Sequence, residues 1–486
     1  MGITVSTNMK RTIWIRPIAF FVVVSVFFTP VAGNAQGLEF SGSIRAGVAK
    51  SDNIFLLPSP DEIEETTYII SPTLNLDYAN QRIESLIRYQ YDWFRYSDLD
   101  TKNEYHRYDA RLDSTIVENA LYFDFGASRS QSIVDPAAVI PPDGLPISNN
   151  LTDRDNYYLS PRLEKVLGRS VSVLLDYRYE DVRYDDSDLE APEQVQDNVN
   201  QAANFKLENY KGGQGMTWAA AYEWRETEYE RSLQWEYQRA IAELGFWASG
   251  STRLFASWGK ESAWDDPIDR SLQDEFWEAG FAYQNGERAS AEFAAGERSF
   301  GSSWRGRLNW SFRRGGLEFS YAETPTTTGL NNYNQGNLIN PEEPNDYLAF
   351  PGSSERYISK RGQAGLSLEF RQTTLRLGAY DELRTGRYTS DGTPLNDESQ
   401  AGVSILIDWS PGPRTEVIAA GSVSSVKNEA GDEADYITGR LSASYRLGNA
   451  VALSLAYFYD EQDPKARSAG PNYVSNVIVF YVSYSF

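Results

Sequence analysis

The sequence predicts an all-β fold: a single antiparallel transmembrane β-barrel of about 22 strands, within a range of roughly 18–24. Three observations predict it. The chain opens with an export leader, the remainder alternates apolar and polar residues with a period of two, and the connections between alternating segments are short and long by turns.

The leader comes first. Lys10, Arg11 and Arg16 precede an apolar run from Ile18 to Phe28, which is followed by the small-residue pattern Gly33-Asn34-Ala35. This is the layout of a secretory signal peptide over residues 1–35, with a mature chain starting near Gln36. Its apolar run is too short for the ~20 residues a membrane helix needs. No later apolar run reaches that length, so a membrane role requires a closed barrel built of residues 36–486.

Composition narrows the classes further. The chain has no cysteine, which excludes a disulfide framework, a thiol nucleophile and a cysteine-based metal site. A net charge of -23 argues against nucleic acid as a partner, because that would call for a basic footprint. Mean hydropathy of -0.50 beside 14% aromatic residues suits a wall with one face toward lipid and one toward water.

From Leu38 to Phe486 the segments alternate as barrel strands do. In 83–93 the odd positions hold Ile83, Ile87, Tyr89, Tyr91 and Trp93, while Glu84, Arg88, Gln90 and Asp92 occupy even ones. Trp304, Leu308, Trp310 and Phe312 oppose Arg305, Arg307, Asn309 and Arg313 in the same way, and Val403, Ile405, Ile407 and Trp409 oppose Ser404 and Asp408. Tight turns are expected at 79–81, 117–119, 167–169, 212–214, 249–251, 285–287, 314–316, 371–373, 411–413 and 447–449. Mostly longer polar links lie between them, as expected for short periplasmic turns and long outer loops. Trp93, Trp224 and Trp258 then fall near outer strand ends and Trp218, Trp310 and Trp409 near periplasmic ends, as interface girdles.

The last segment presents Ile478, Phe480, Val482, Tyr484 and Phe486 on one face. It resembles the C-terminal signal read by the barrel-assembly machinery, which makes that machinery an expected partner together with outer-membrane lipid and lipopolysaccharide. The mature chain enters its first strand at once, so no plug domain is expected, and the link 325–356 is a candidate constriction loop. The strand number points to a monomer.

Candidate chemistry is sparse. His106 is the only histidine, and its alternating neighbours Tyr108, Ala110 and Leu112 are on the apolar face, so it reads as an interfacial residue and not a general base. The acidic runs Asp185, Asp186, Asp188, Glu190 and Asp61, Glu62, Glu64, Glu65 offer oxygen ligands for calcium without matching a specific calcium loop, and read as solvated surface. No cofactor is expected. Lumen-facing candidates are Arg82, Arg88, Arg107, Arg111, Arg305, Arg307, Arg313 and Arg376, interleaved with Glu84, Asp92, Asp109 and Asp113, with Tyr122 and Tyr380 as platforms for sugars. Opposed charges across a pore create a transverse field favouring polar or anionic solutes; paired with one another, the same charges simply satisfy a wet interior.

The stretch from Gly47 to Leu56, containing Ser51-Asp52-Asn53-Ile54 and followed by Tyr68 and Ser71-Pro72, resembles the start of a β-barrel porin family. In particular it is similar to the outer-membrane barrels associated with exosortase/PEP-CTERM systems and exopolysaccharide gene clusters. The resemblance implies a non-enzymatic pore or scaffold supporting exopolysaccharide export or assembly, with polysaccharide and secretion-system components as partners. It brings no catalytic residues. A general or solute-specific porin, an outer-membrane hydrolase and a loop-mediated adhesive role are the alternatives that the residues leave open.

Overall fold

The computed structural model describes residues 37–133, 145, 147, 151–168, 170–185, 195–209, 215–232, 234–262, 272–328, 330, 354–389, 392–427, 431–465 and 472–486. The leader, 1–35, lies outside them. Among the described residues there are 22 strands, from β1 (Leu38–Ser51) to β22 (Tyr473–Ser485), each antiparallel to the next, and β22 pairs back onto β1 to close the sheet. The strands run from 10 to 17 residues, longer for the most part than the ~9–11 that cross the hydrocarbon layer, so their ends project beyond it.

Alternation gives the wall two unlike faces. In β3 (Ile83–Tyr96) Tyr89 is exposed on the odd face, whereas Asp92, Phe94 and Tyr96 are buried on the even one. Through the strand interiors, exposed large apolar side chains such as Trp258, Trp277, Phe293, Val403 and Leu441 hold one parity, and buried polar groups such as Glu180, Asn200, Glu261 and Glu382 hold the other. The first face meets lipid; the second is the inside of the barrel.

The expected tight turns that fall within the described residues are present, displaced by a residue or two, because hydrogen bonding and not composition ends a strand; 212–214 lies outside the described residues. Asn80 shows how: its side-chain oxygen accepts from the amides of Arg82 (2.7 Å) and Ile83 (2.8 Å), which sets the turn at 80–82.

Closure is tightened by side chains along the seam. Ile44, Ala46, Val48 and Lys50 pair with Tyr484, Val482, Phe480 and Ile478, so the alternating face of β22 continues that of β1. Gly42 and Phe486 exchange backbone hydrogen bonds of 2.9 Å each, and the Phe486 ring lies over Gly42, where a Cβ would stand 2.6 Å from the ring. A larger residue there would displace the ring.

At the outer end of the seam the Ser51-Asp52-Asn53-Ile54 motif holds β22. Asp52 accepts from both the backbone and side-chain nitrogens of Asn476, at 2.7 Å each. The Asn53 amide donates to the carbonyls of Val474 (3.0 Å) and Leu57 (2.7 Å), and its oxygen accepts from the Leu57 amide (2.9 Å). This fixes a turn in which Leu56 takes a left-handed conformation, φ 55°. That costs about 1–2 kcal/mol. Full burial of the Leu56 side chain offsets it, since burying a leucine returns about 1.5–3 kcal/mol.

Ile54 in turn packs inside the barrel against Ala49, Ile69, Phe94, Tyr96, Val477 and Val479, together with Leu145 from the link between β5 (Leu121–Ile133) and β6 (Leu151–Leu167). The Tyr96 hydroxyl donates to the Leu145 carbonyl (3.1 Å) and the Ile147 amide to that of Ile54 (3.0 Å). The turn at 52–57 and, of the link between β5 and β6, the described Leu145 and Ile147 therefore lie inward at the seam side of the mouth.

Asn53 makes the seam testable. Asn53→Ala leaves buried partners unsatisfied, at a cost on the order of 1–3 kcal/mol. The purified barrel should lose its compact, fast-migrating form at a lower temperature on semi-native electrophoresis; an unchanged transition would mean the motif does not hold the seam.

Candidate functional site

The candidate site is the inner wall. Arg88, Arg107, Arg111, Arg305, Arg307 and Arg376 all lie on the inward parity of their strands. Arg82 and Arg313 do not: each falls just outside a strand, in a periplasmic turn where alternation no longer assigns a face, and Arg82 pairs there with Glu118 at 3.3 Å. Most inward arginines have close partners. Arg107 reaches Asp92 (3.5 Å), Arg111 reaches Asp109 (3.2 Å), Arg88 donates to the Asn75 side chain (3.1 Å), and Arg305 bridges Glu278 and Glu292. A guanidinium facing a low-dielectric wall is stabilised by such neighbours.

Toward the outer mouth the pairing becomes buried and networked. Glu261 of β11 (Thr252–Ser262), fully buried, accepts from Tyr237 (2.6 Å), Arg298 (2.8 Å) and the Ser299 amide (2.7 Å). On the neighbouring arc, Glu382 of β17 (Thr373–Tyr388) accepts from Ser359, Gln400, Arg361 and Arg384, while Arg387 joins Glu355 and Glu398. Each carboxylate is satisfied by several donors, which makes a buried charge tolerable.

These networks anchor a second inward lobe. The described part of the link between β15 (Gly315–Thr327) and β16 (Arg356–Glu369) places Leu330 against Trp235, Tyr237 and Ile358. Thr327 also meets Thr227, on the non-adjacent β9 (Met216–Tyr229), at 3.1 Å. Thus the ends of the 325–356 link fold across the mouth; 331–353 lie outside the described residues. Sequence reasoning missed the inward turn of 52–57 and of Leu145 and Ile147, whose partners are remote in the chain.

Below this lobe the inner wall is indented. A recess of about 570 Å³ crosses β14 (Gly301–Phe312) through β18 (Glu398–Gly412), within the about 300–1,000 Å³ range of small-ligand sites. Register explains it. One row across the strands reads Asn309, Glu318, Gly365, Gly378, Ser404; the two adjacent glycines add no side chain of their own, and the Glu318 side chain lies over Gly365, where a Cβ would be 2.7 Å from its Oε1. The row above reads Arg307, Ser320, Gln363, Tyr380, Gly402, and the Tyr380 ring lies flat over Gly402, where a Cβ would be 2.6 Å away. The row below brings in Ser367, Arg376 and Leu406.

His106 lies on the outward face, its Nδ1 2.7 Å from the Tyr89 hydroxyl and its ring 5.1 Å from that of Tyr91. Its neighbour Tyr108 reaches Asp155 (3.1 Å) and Tyr157 (2.8 Å), and Arg129–Asp155 and Arg183–Asp181 pairs follow on the same face. The outward wall therefore turns polar at the outer strand ends, a belt that the apolar periodicity concealed. Of the acidic runs, Glu64 pairs with Lys50, and buried Glu65 accepts from the amides of Thr66, Asp98 and Leu99. No group of three or more His, Cys, Asp or Glu that could hold a metal occurs among the described residues; Asp186, Asp188 and Glu190 lie outside them.

No family model matches the chain, and no curated protein sequence matches it. Among solved structures it is similar to a ferric enterobactin receptor from Pseudomonas aeruginosa, at 10% identity over 93% of this chain and 81% of that one, TM-score 0.47. It is also similar to the FrpB iron transporter from Neisseria meningitidis (12%, 93% and 83%, TM-score 0.46) and to the siderophore receptor PirA from Acinetobacter baumannii (8%, 93% and 81%, TM-score 0.45). At this level the likeness assigns no ligand to the chain. The closed wall, apolar outside and ionic inside, is that of an outer-membrane barrel.

Glu382 tests the mouth network. Glu382→Ala leaves Arg384 and Arg361 facing each other in a buried site and should destabilise the barrel by roughly 3–5 kcal/mol. Glu382→Gln, which keeps an acceptor, should cost clearly less in the same denaturant titration.

Proposed function

We propose that this barrel is a non-enzymatic outer-membrane conduit or scaffold for a polar polymer, supporting exopolysaccharide export or assembly. The observation that carries the reading is the two-faced wall: an apolar band around the exterior and an interior lined by arginine, carboxylate, amide and tyrosine groups. Such an interior holds water and favours cargo that exchanges hydrogen bonds with it. The polymer class comes from the resemblance of the Gly47–Leu56 segment to barrels of exopolysaccharide clusters. On this reading the barrel's own loops narrow its outer mouth, and the outward polar belt sits at the level of lipopolysaccharide head groups.

A solute-specific porin is the second reading, favoured by the two inward lobes at the mouth, since a narrowed entrance selects by size. Deleting the gene and measuring polysaccharide on the cell surface against that retained in the periplasm separates the two. Retention in the periplasm is expected; unchanged surface polysaccharide, with slower uptake of small solutes, would transfer the assignment to the porin.

A further inference from the structure

Arg307 and Arg376 differ from inward arginines such as Arg107, Arg111 and Arg305, which hold ion pairs. Neither has an ion-pair partner among the described residues, although carboxylates and arginines are matched along most of the wall. Both line the recess, one above and one below its glycine floor. A guanidinium offers a planar fork of donors that fits a carboxylate bidentately. Around the two forks stand Asn309, Ser320, Gln363 and Ser404, which exchange hydrogen bonds with hydroxyls, while the buried Tyr380 ring, packed on Gly402, closes one edge of the recess.

The register also sets the scale. Arg307 aligns with Ser320 on β15 and Arg376 with the row of Gly316, so the two are three strands and four residues apart. At about 4.8 Å per strand and about 3.4 Å per residue, that is roughly 20 Å between backbones. One sugar cannot reach both. A chain of several units, with carboxylates on separate units, can.

We infer that the recess is a binding subsite for a segment of acidic glycan, read by Arg307 and Arg376 through its carboxylates, with Glu318 accepting from sugar hydroxyls. The inference rests on the conduit reading and supplies its substrate class: a uronic-acid-containing polymer in preference to a neutral one. Because the arginines are exposed to the lumen and hold no ion pair, replacing them does not dismantle the wall.

The test uses the full-length folded barrel in detergent, with hexagalacturonate and maltohexaose as probes in titration calorimetry. Hexagalacturonate should bind at least about tenfold more tightly than maltohexaose, and an Arg307→Gln/Arg376→Gln double variant with unchanged electrophoretic folding should lose that tenfold preference. Monogalacturonate should gain little from the second arginine, so either single variant should affect the hexamer more than the monomer. Equal binding of acidic and neutral hexamers, or an unaltered preference in the double variant, would overturn the subsite. Bilayer conductance of the same preparation reports separately on the conduit. An open channel without acid preference would remove the subsite and leave the conduit, whereas a closed barrel that still binds hexagalacturonate would support the subsite and remove the conduit.

Discussion

A strand edge left open inside a membrane exposes amide and carbonyl groups that water cannot reach, at several kcal/mol each, so the pairing of β22 with β1 governs whether the other twenty-one ladders are worth forming. The chain brings these strands together from opposite ends of the sequence, which is the most expensive contact to find by diffusion. It is accordingly over-determined. Phe486 seats on Gly42 at the periplasmic end, Asp52 holds Asn476 at the outer end, and Asn53 bonds Val474 while also closing the turn at Leu57. The motif that carries the family resemblance is thus a clasp in this molecule, and its Asp-Asn pair is explained by hydrogen-bonding geometry before any ligand is invoked.

Once the sheet is closed, its inner face must satisfy what the outer face cannot. Charges that would be intolerable toward lipid are directed inward, and there they are either hydrated or paired. Pairing dominates where loops exclude water, as at Glu261 and Glu382, and loosens where the lumen is wet, as at Arg307 and Arg376. The gradient from hydrated to buried charge along the wall is a direct consequence of two links turning inward at the mouth.

Much of this was legible in the sequence, because a period of two is the strongest pattern a half-wet strand can write. Strand number, the face of Arg88 and Arg376, and the outward position of Trp258 and Trp409 all follow from it. The pattern fails at strand ends. Arg82 and Arg313 continue the alternation in letters but lie in turns, and Tyr108 belongs to the apolar parity yet joins a polar belt. Contacts that depend on depth and not on parity were unreadable: Tyr237, Glu261 and Arg298 meet across 24 to 61 positions of chain, and in the proline-rich link between β5 and β6 no periodic pattern singles out Leu145 as a buried residue. The recess was hidden for the same reason, since Gly365 and Gly378 become a floor only when register sets them side by side.

The order of residues along β17 connects the recess to the mouth. From the periplasmic end the inward positions are Arg376, Gly378, Tyr380, Glu382 and Arg384, so a single residue, Asp381, separates Tyr380 at the edge of the recess from Glu382 of the buried network that anchors the inward lobe. A glycan in the recess would lie just beneath that network, on the periplasmic side of the narrowing. A polymer moving outward would then meet its binding groups before the constriction and not after it. The anionic groups of such a polymer would compete with Glu382 for Arg361, the one member of the network that also lines the recess. On the conduit reading, Arg361 would thereby give such a polymer a physical route to the contacts that hold the mouth.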